Sequence, residues 1–303
     1  MTALGALRNP ALPIARSVIG NSKRQQQHLR FFILIGITVY SCSQTKKNDN
    51  FSIKNNLPSK VKIMNLNNNK ILITGGGSGI GLGLTERFIK ENNTVIICGR
   101  REEVLKAVAD KFPNVITRVC DLSVEAERVE LYHWVAAHHN NLNVLVNNAG
   151  IQQWMNVSED DFYPRAMDEI MINTVAPIHL THLFLQLKSL DTIINVTSGL
   201  AFVQLTKVPV YCATKAFFHS FTLSLRHLLK SKNIEVIEMI PPALNTDLGG
   251  KGIHDGHPSV SDFTDAVFRQ MKEGKTELTF GFSEVMVNAN PEAIKATFSK
   301  MNP

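Results

Sequence analysis

From residue 70 onward the chain alternates short apolar runs with longer amphipathic stretches. The apolar runs have the length of strands and carry few polar positions, which is typical of strands buried on both faces. The amphipathic stretches repeat their apolar positions at helical spacing. The predicted strands are 70–74, 94–98, 115–122, 143–147, 191–197 and 234–240. The predicted helices are 82–91, 102–112, 123–138, 158–187, 209–230 and 261–273.

This order of elements predicts an α/β fold, a Rossmann-type doubly wound parallel sheet with helices on both faces. Residues 69–303 are predicted to form a single domain, and the hydrophobic content of 44% is sufficient for its core. Ser158 and Asp161 have the spacing of a capping box, which predicts that a helix begins there. In such a sheet, ligands bind beyond the carboxyl ends of the strands.

The first 68 residues form an extension of different character. The apolar run 31–39 follows a basic cluster and precedes Cys42, a pattern similar to a secretory signal or a bacterial lipoprotein acceptor. Residues 43–69 are rich in Asn, Lys and Ser, which predicts disorder. The alternative is that translation starts at Met64 and the upstream segment is a gene-start artefact. In that case the protein is predicted to be cytoplasmic, whereas a genuine signal at residues 22–42 would mean export of the lipoprotein type.

Charge and cysteine usage exclude several classes of partner. The net charge is +6, but residues 1–69 hold ten basic residues against one acid, which leaves the remaining chain at −3. A nucleic-acid-binding face on the domain is therefore not expected, nor is stable membrane insertion, because run 31–39 is too short to span a bilayer. The four cysteines lack disulfide or metal-binding spacing, so no metal site is predicted.

A glycine-rich turn follows the first predicted strand and opens the first helix. The segment 74–81 reads TGGGSGIG, in which glycines let the backbone approach a pyrophosphate and the helix N-terminus offers free N–H groups. This position between strand and helix predicts a dinucleotide site. The candidate cofactor-binding residues of the turn are Thr74, Gly75, Gly77, Ser78, Gly79, Ile80 and Gly81.

The end of the second predicted strand bears on the choice of cofactor. Folds that bind NAD usually carry an acid there for the ribose hydroxyls. This chain has Arg100 and Arg101 instead. A guanidinium at Arg100 is suited to a 2′-phosphate, so NADP is predicted in preference to NAD, which stays the alternative cofactor.

The candidate catalytic group lies on the helix after the fifth strand. Tyr211 and Lys215 are four residues apart, which places both side chains on one helix face. A nearby ammonium is expected to lower the pKa of a phenol from its usual value of about 10 and to suit it to acid-base work. Ser198, at the end of the fifth strand, is predicted to hydrogen-bond a substrate carbonyl.

Taken together, these motifs resemble the short-chain dehydrogenase/reductase family over residues 69–250. The resemblance implies that Asp121 and Leu122 contact the adenine and that Asn147, Ala149 and Gly150 support the cofactor pocket. It also implies that Lys215 binds the nicotinamide ribose, that Asn173 holds a water in a proton relay and that Thr246 contacts the nicotinamide amide. Where the family has a proline followed by a glycine, this chain has Pro241 followed by Pro242. Proline cannot adopt the positive φ angle that glycine allows, so the backbone there is expected to differ. The segment 183–250 resembles the bacterial DltE-like oxidoreductases.

The resulting hypothesis is an NAD(P)-dependent oxidoreductase that interconverts a small-molecule carbonyl and an alcohol, with Tyr211 as general acid-base and Asn173, Ser198 and Lys215 as the other catalytic residues. One alternative is a cofactor-binding sensor or scaffold of the same fold, and another is an epimerase or dehydratase. Candidate substrate walls are 151–157, 199–208 and 248–260, the last with glycines that suggest a lid. For the apolar residues of 151–157 and 199–208, packing at a subunit interface is the alternative. The resemblance also implies a homodimer or homotetramer formed through the helices carrying Tyr211 and Asn173.

Overall fold

A parallel sheet of doubly buried strands forms the centre of the molecule. The computed structural model describes residues 64–303, and within them the sheet has seven strands in the order β3-β2-β1-β4-β5-β6-β7. All neighbouring strands pair in parallel, which confirms the predicted doubly wound fold. The strands are β1 Lys70–Thr74, β2 Thr94–Gly99, β3 Ile116–Val119, β4 Val144–Asn147, β5 Thr192–Val196, β6 Glu235–Ile240 and β7 Glu277–Thr279.

Helices connect the strands and cover both faces of the sheet. They are α1 Gly79–Lys90, α2 Glu102–Lys111, α3 Glu125–His138, α4 Phe162–Ile170, α5 Ala176–Phe184, α6 Pro209–Leu229, α7 Val260–Lys272, α8 Phe282–Val287 and α9 Pro291–Met301. A π-helical turn, Met171–Val175, joins α4 to α5. Within residues 64–303, no helix combines the length and the apolar character needed to cross a membrane.

Alternation along the strands divides the core into two layers. Ile71 and Ile73 of β1 face the layer formed with α1, α2 and α7, whereas Leu72 faces the layer formed with α3, α5 and α6. Successive side chains of a strand point to opposite faces, so a continuous apolar run supplies both layers. Met64 and Leu66 are also buried in the first layer, so the packed domain extends upstream of the predicted boundary at residue 69. The predictions for residues 1–63 lie outside the described residues.

The topology fixes where a ligand fits. Strand β1 pairs with β2 on one side and with β4 on the other. The chain therefore leaves β1 and β4 in opposite directions, which opens a crevice at their carboxyl ends. The glycine-rich turn after β1 and the segment after β4 both lie at this edge.

The predicted helix 158–187 is confirmed as one continuous run of helical backbone, but it is shorter, from Phe162 to Phe184, and it contains a π-helical turn that was not predicted. The chain forms α4, the π-helical turn and α5, and the helix begins only at Phe162. The predicted capping box is wrong, because the Ser158 hydroxyl donates to Asn156 Oδ1 at 3.0 Å and Asp161 makes no side-chain cap. Local hydrogen bonding within a turn outcompetes the cap at this position.

The remaining boundaries differ by a few residues. The third strand ends at Val119 and not at residue 122, so Asp121 and Leu122 belong to the loop at the sheet edge. The other predicted strands and helices begin and end within three residues of the observed bounds. Elements β7, α8 and α9 lie beyond the last predicted helix and were not predicted.

Candidate active site

The turn between β1 and α1 is held in place by the end of β4. Thr74 Oγ1 accepts hydrogen bonds from the backbone N–H groups of Asn148 and Ala149, each at 3.0 Å. The Asn148 side chain donates back to the Thr74 carbonyl at 2.9 Å. Both loops at the crevice are thereby fixed to each other, and Thr74 itself is buried beneath them.

Glycine is required at three positions of this turn for two different reasons. Gly75 and Gly79 have φ angles of 66° and 51°, a conformation that other residues rarely adopt. At Gly81 a Cβ atom would overlap the Gly75 carbonyl oxygen and lie 2.6 Å from Asn148 Nδ2. The start of α1 therefore packs directly on the turn, which leaves its first N–H groups at the crevice.

A cleft of about 1150 Å³ follows this edge of the sheet. Its glycine cradle, the adjoining helix N-terminus and the cations at its rim fit the pyrophosphate and the phosphates of a dinucleotide. It is also lined by Ile151 and Gln152, which the sequence analysis did not assign to the cofactor. The predicted site residues that line it are Gly75, Gly77, Ser78, Gly79, Ile80, Gly81, Arg100, Asp121, Leu122, Ala149, Gly150, Tyr211, Lys215, Pro241 and Thr246.

Asn147 supports the cleft from below and does not line it. Its Nδ2 donates to Asn195 Oδ1 at 2.9 Å and to Thr181 Oγ1 at 3.2 Å, so it links β4, β5 and α5. A buried amide that makes these bonds stabilises the relative position of the three elements. This geometry favours a structural role over direct cofactor contact.

The rim of the cleft beside β2 and β3 carries a basic residue, Arg100, and an acidic residue, Asp121. Asp121 Oδ1 accepts hydrogen bonds from the Ser123 backbone and hydroxyl at 2.9 and 2.7 Å. Burial acts to raise the pKa of Asp121, but these hydrogen bonds and the positive charge of Arg100 together lower it. Arg100 is exposed and makes no ion pair within the described residues, so its guanidinium is available to an anion in the cleft.

Tyr211 and Lys215 lie one turn apart on α6, and both are buried at the wall of the cleft. Lys215 Nζ is 5.6 Å from the centre of the Tyr211 ring and donates to the Val196 carbonyl at 2.9 Å. Ser198, next to this strand end, accepts a hydrogen bond from Leu200 N at 3.1 Å and is a hydrogen-bond partner of the phenol. The structure thus brings the predicted serine, tyrosine and lysine together.

The predicted acidity of the phenol is wrong for this geometry. Burial raises the pKa of Tyr211 above its usual value, and a hydrogen bond with the Ser198 side chain only partly opposes this effect. Burial also lowers the pKa of Lys215 to about 8. The loss of solvent around both side chains, which is not visible in the sequence, accounts for the difference from the predicted pKa. Tyr211 is therefore held protonated, the form in which a phenol can act as an acid.

Asn173 lies in the π-helical turn behind these groups. Its Nδ2 donates to the Ile151 carbonyl at 2.8 Å and to Thr214 Oγ1 at 3.1 Å, while its Oδ1 accepts from Ile151 N at 2.9 Å. Both side-chain donors are therefore used. A water that binds at Asn173 therefore has two acceptors available. One is the second lone pair of Asn173 Oδ1, and the other is a backbone carbonyl of the π-helical turn that makes no regular helical hydrogen bond.

The three predicted substrate walls meet around Tyr211. Trp154, Leu200, Leu205 and Leu248 pack against an apolar cluster of Tyr211 with Val208 and Cys212. The segment 248–260 turns through three glycines with positive φ angles, at positions 249, 250 and 252. The surroundings of the Tyr211 side chain are therefore largely apolar.

Sequence reasoning missed one buried acid of this region. Glu169 of α4 is fully buried, and its Oε1 accepts a hydrogen bond from Gln153 N at 3.1 Å. Burial raises the pKa of Glu169 to about 7. An acid within an amphipathic helix normally indicates the solvent face, so no sequence signal marked it.

Comparison with known proteins places the chain in a family. The family profile described as short chain dehydrogenase matches residues 69–255. The uncharacterized oxidoreductase DltE of Bacillus subtilis (strain 168) is 41% identical over 249 residues, which are 79% of this chain and 98% of that protein. This agrees with the resemblance to DltE-like oxidoreductases.

Solved structures show the same fold. A short-chain dehydrogenase from Burkholderia cenocepacia J2315, solved in complex with NADP, has 26% identity and a TM-score of 0.68, and the match covers 78% of this chain and 99% of that one. A homologous fold from Burkholderia phymatum, solved in complex with NAD, has 17% identity and a TM-score of 0.67, with coverage of 78% and 94%. The chain belongs to the short-chain dehydrogenase family and is an NAD(P)-dependent oxidoreductase.

Proposed function

We propose that the protein reduces a small apolar carbonyl compound to an alcohol with NADPH, or catalyses the reverse oxidation. One observation carries this proposal: Tyr211 and Lys215 open into the same cleft as the glycine-rich turn, with Ser198 beside the phenol. When bound, the nicotinamide supplies the hydride. The residues of the chain supply the proton and orient the carbonyl.

Each catalytic residue has a role that follows from its position. Ser198 holds the substrate oxygen next to the phenol, and Tyr211 donates its proton to that oxygen as negative charge develops there. Lys215 stabilises the phenolate that results, because an ammonium one helical turn away favours the ionised phenol. Asn173 fixes the 151–153 segment against α6, and the resemblance further assigns it a water in the relay that returns a proton.

A panel of ketones, aldehydes and quinones tests the reaction class. With the full chain and NADPH, we expect turnover on apolar carbonyls, because the apolar side chains of Trp154, Leu200, Leu205 and Leu248 pack around Tyr211. The measurement is the loss of NADPH absorbance, with the alcohol identified in the product. NADPH binding without consumption across the panel would instead indicate a sensor or scaffold.

We also propose a preference for NADPH over NADH, set by Arg100. We expect Arg100→Ala to weaken NADPH binding about 10-fold, which corresponds to roughly 1.4 kcal/mol, and to change NADH binding less than about twofold. Dissociation constants from fluorescence titration of both cofactors check this result. Lys106→Ala is the matched control, because it removes an exposed cation of α2 that does not line the cleft. An equal loss for both cofactors would contradict the assignment.

The proposed assembly is a homodimer or homotetramer through α4 and α6. These helices expose the large apolar side chains Tyr163, Met167, Phe217 and Leu228. Exposed apolar surface of this kind is typical of subunit interfaces. Sedimentation velocity of the wild type and of Phe217→Glu measures this directly, and a monomeric wild type would contradict it.

The proposed catalytic domain is residues 69–303, with activity in the cytoplasm, where NADPH is found. Cell fractionation and N-terminal sequencing of the native protein test this location. A mature chain that begins at Cys42 would support export.

A further inference from the structure

A buried carboxyl with an unpaired oxygen lies behind the catalytic pair. Glu169 is fully buried, and one of its oxygens accepts the Gln153 N–H. The other oxygen, Oε2, has no hydrogen-bond partner among residues 64–303. Burying a carboxylate in this way is unfavourable unless a nearby charge compensates it. The identity of that charge decides what Glu169 does.

Glu169 and Asn173 hold the same segment of chain against α6. Glu169 precedes Asn173 by four residues, and they bind the backbones of Gln153 and Ile151 respectively. At the near end of this segment, Gly150 lies beside both Asn173 Oδ1 and Lys215 Nζ. Glu169 is buried on α4, and α4 packs against α6, the helix that carries Lys215.

The groups that face Glu169 come from three elements. Its own helix contributes Arg165, the 151–157 segment contributes the Gln153 backbone, and α6 contributes Tyr211, Cys212 and Lys215. Arg165 is engaged elsewhere, with hydrogen bonds to Trp154 O, Gln153 Oε1 and acids of the preceding turn. Lys215 is the buried cation left without a salt bridge within residues 64–303, since its hydrogen bond goes to the Val196 carbonyl.

We propose that Glu169 is a positioning residue that acts as the internal counter-ion of Lys215 and keeps the lysine protonated during carbonyl reduction. The two groups act on each other electrostatically and without a direct hydrogen bond. The proposal rests on the proposed function, because the protonated lysine matters only if Lys215 supports Tyr211. It adds a carboxylate to the serine, tyrosine, lysine and asparagine assigned above.

The sign of the pH dependence follows from the two buried groups. Below pH 7 Glu169 is largely protonated, so replacing it with glutamine changes little. Above pH 7 the Glu169 carboxylate opposes loss of the Lys215 proton. Burial lowers the pKa of Lys215 to about 8 even with the carboxylate present, so removal of the carboxylate lowers this pKa further. The same carboxylate acts to raise the pKa of Tyr211, but the phenol is protonated over this range in any case. The effect on Lys215 therefore decides the outcome.

The test compares Glu169→Gln with the wild type in the full chain. Glutamine keeps the volume and an oxygen that accepts the Gln153 N–H. With NADPH and the best carbonyl of the panel, we expect kcat/KM to be nearly unchanged at pH 6 and about 10-fold lower at pH 8. Asp168→Asn, which removes an exposed acid from the same helix, is the matched control and is expected to follow the wild-type profile.

A second readout does not depend on turnover. A raised carboxyl pKa means that the folded state binds a proton more tightly than the unfolded state, so stability falls as pH rises from about 4.5 to about 7. We expect urea denaturation to show this fall in the wild type and in Asp168→Asn, and a flatter profile in Glu169→Gln. A variant that loses only packing would be destabilised equally at all pH values.

The outcomes separate the inference from the proposed function. Parallel pH profiles of kcat/KM for the wild type and Glu169→Gln would overturn the counter-ion role. A pH profile of stability that is the same in Glu169→Gln as in the wild type would overturn the counter-ion role as well. If no carbonyl turns over in the wild type, the proposed function fails. In that case the stability of the double variant Glu169→Gln with Lys215→Met, measured at pH 7.5, tests the pairing of the two side chains. Effects of the two substitutions that add would overturn the pairing, and effects that do not add would support it.

Discussion

Tyr211→Phe is expected to lower the turnover of NADPH with carbonyl substrates about a thousandfold, because general acid catalysis contributes on the order of 10² to 10⁴ in rate. The substitution removes one hydroxyl, which is a hydrogen-bond partner of Ser198 at the wall of the cleft. The phenylalanine ring retains the apolar contacts with Val208 and Cys212. Cofactor binding is therefore expected to change less than about threefold, since the glycine-rich turn is not altered.

The control for this prediction is Tyr132→Phe. Tyr132 packs edge-on against Phe184, away from the cleft, so loss of its hydroxyl is expected to leave turnover unchanged. Steady-state kinetics and NADPH titration of the three proteins provide the comparison. Retention of more than about a tenth of wild-type turnover by Tyr211→Phe would show that another group supplies the proton.

Gly81→Ala is expected to impair both folding stability and cofactor binding. Alanine normally favours a helix over glycine by about 1 kcal/mol. Here the added methyl group overlaps the Gly75 carbonyl oxygen and crowds Asn148 Nδ2. The turn has to move away from α1, and overpacking of this kind costs roughly 1–3 kcal/mol. We expect a lower free energy of unfolding by about 2 kcal/mol and an NADPH dissociation constant at least about 10-fold higher.

Gly256→Ala is the matched control for the glycine prediction. No heavy atom lies within 4 Å of a Cβ placed at Gly256, so the same chemical change meets open space. Its free energy of unfolding is expected to stay within about 0.5 kcal/mol of the wild type. Urea denaturation and NADPH titration measure both variants. A Gly81→Ala protein as stable and as tightly binding as Gly256→Ala would contradict the close packing of turn and helix.

Much of the fold and of the site follows from local patterns in the sequence. The strand 70–74 is apolar on both faces, so its length and burial are encoded in consecutive residues. The glycines at 75, 79 and 81 and the spacing of Tyr211 and Lys215 are likewise local signals. Parallel topology then brings the two groups together, because the carboxyl ends of parallel strands share one edge.

Features that depend on long-range packing were not predictable in the same way. The π-helical turn between α4 and α5 falls where Asn173 bonds the Ile151 backbone across 22 residues of sequence. Burial of Glu169 depends on α4 packing against α6, which its position in the helix pattern does not reveal. The raised pKa of Tyr211 also results from the surrounding fold, since desolvation outweighs its hydrogen bond with Ser198.

The central claim is that this cleft pairs hydride transfer from NADPH with proton transfer from Tyr211. The most direct measurement uses NADPH deuterated at the transferred position with the best carbonyl of the panel, and follows the deuterium by mass spectrometry. We expect one deuterium on the carbinol carbon for each NADPH consumed, and a yield of deuterated alcohol about a thousandfold lower in the same time with Tyr211→Phe. Consumption of NADPH without deuterium in the alcohol, or an equal yield from Tyr211→Phe, would contradict it.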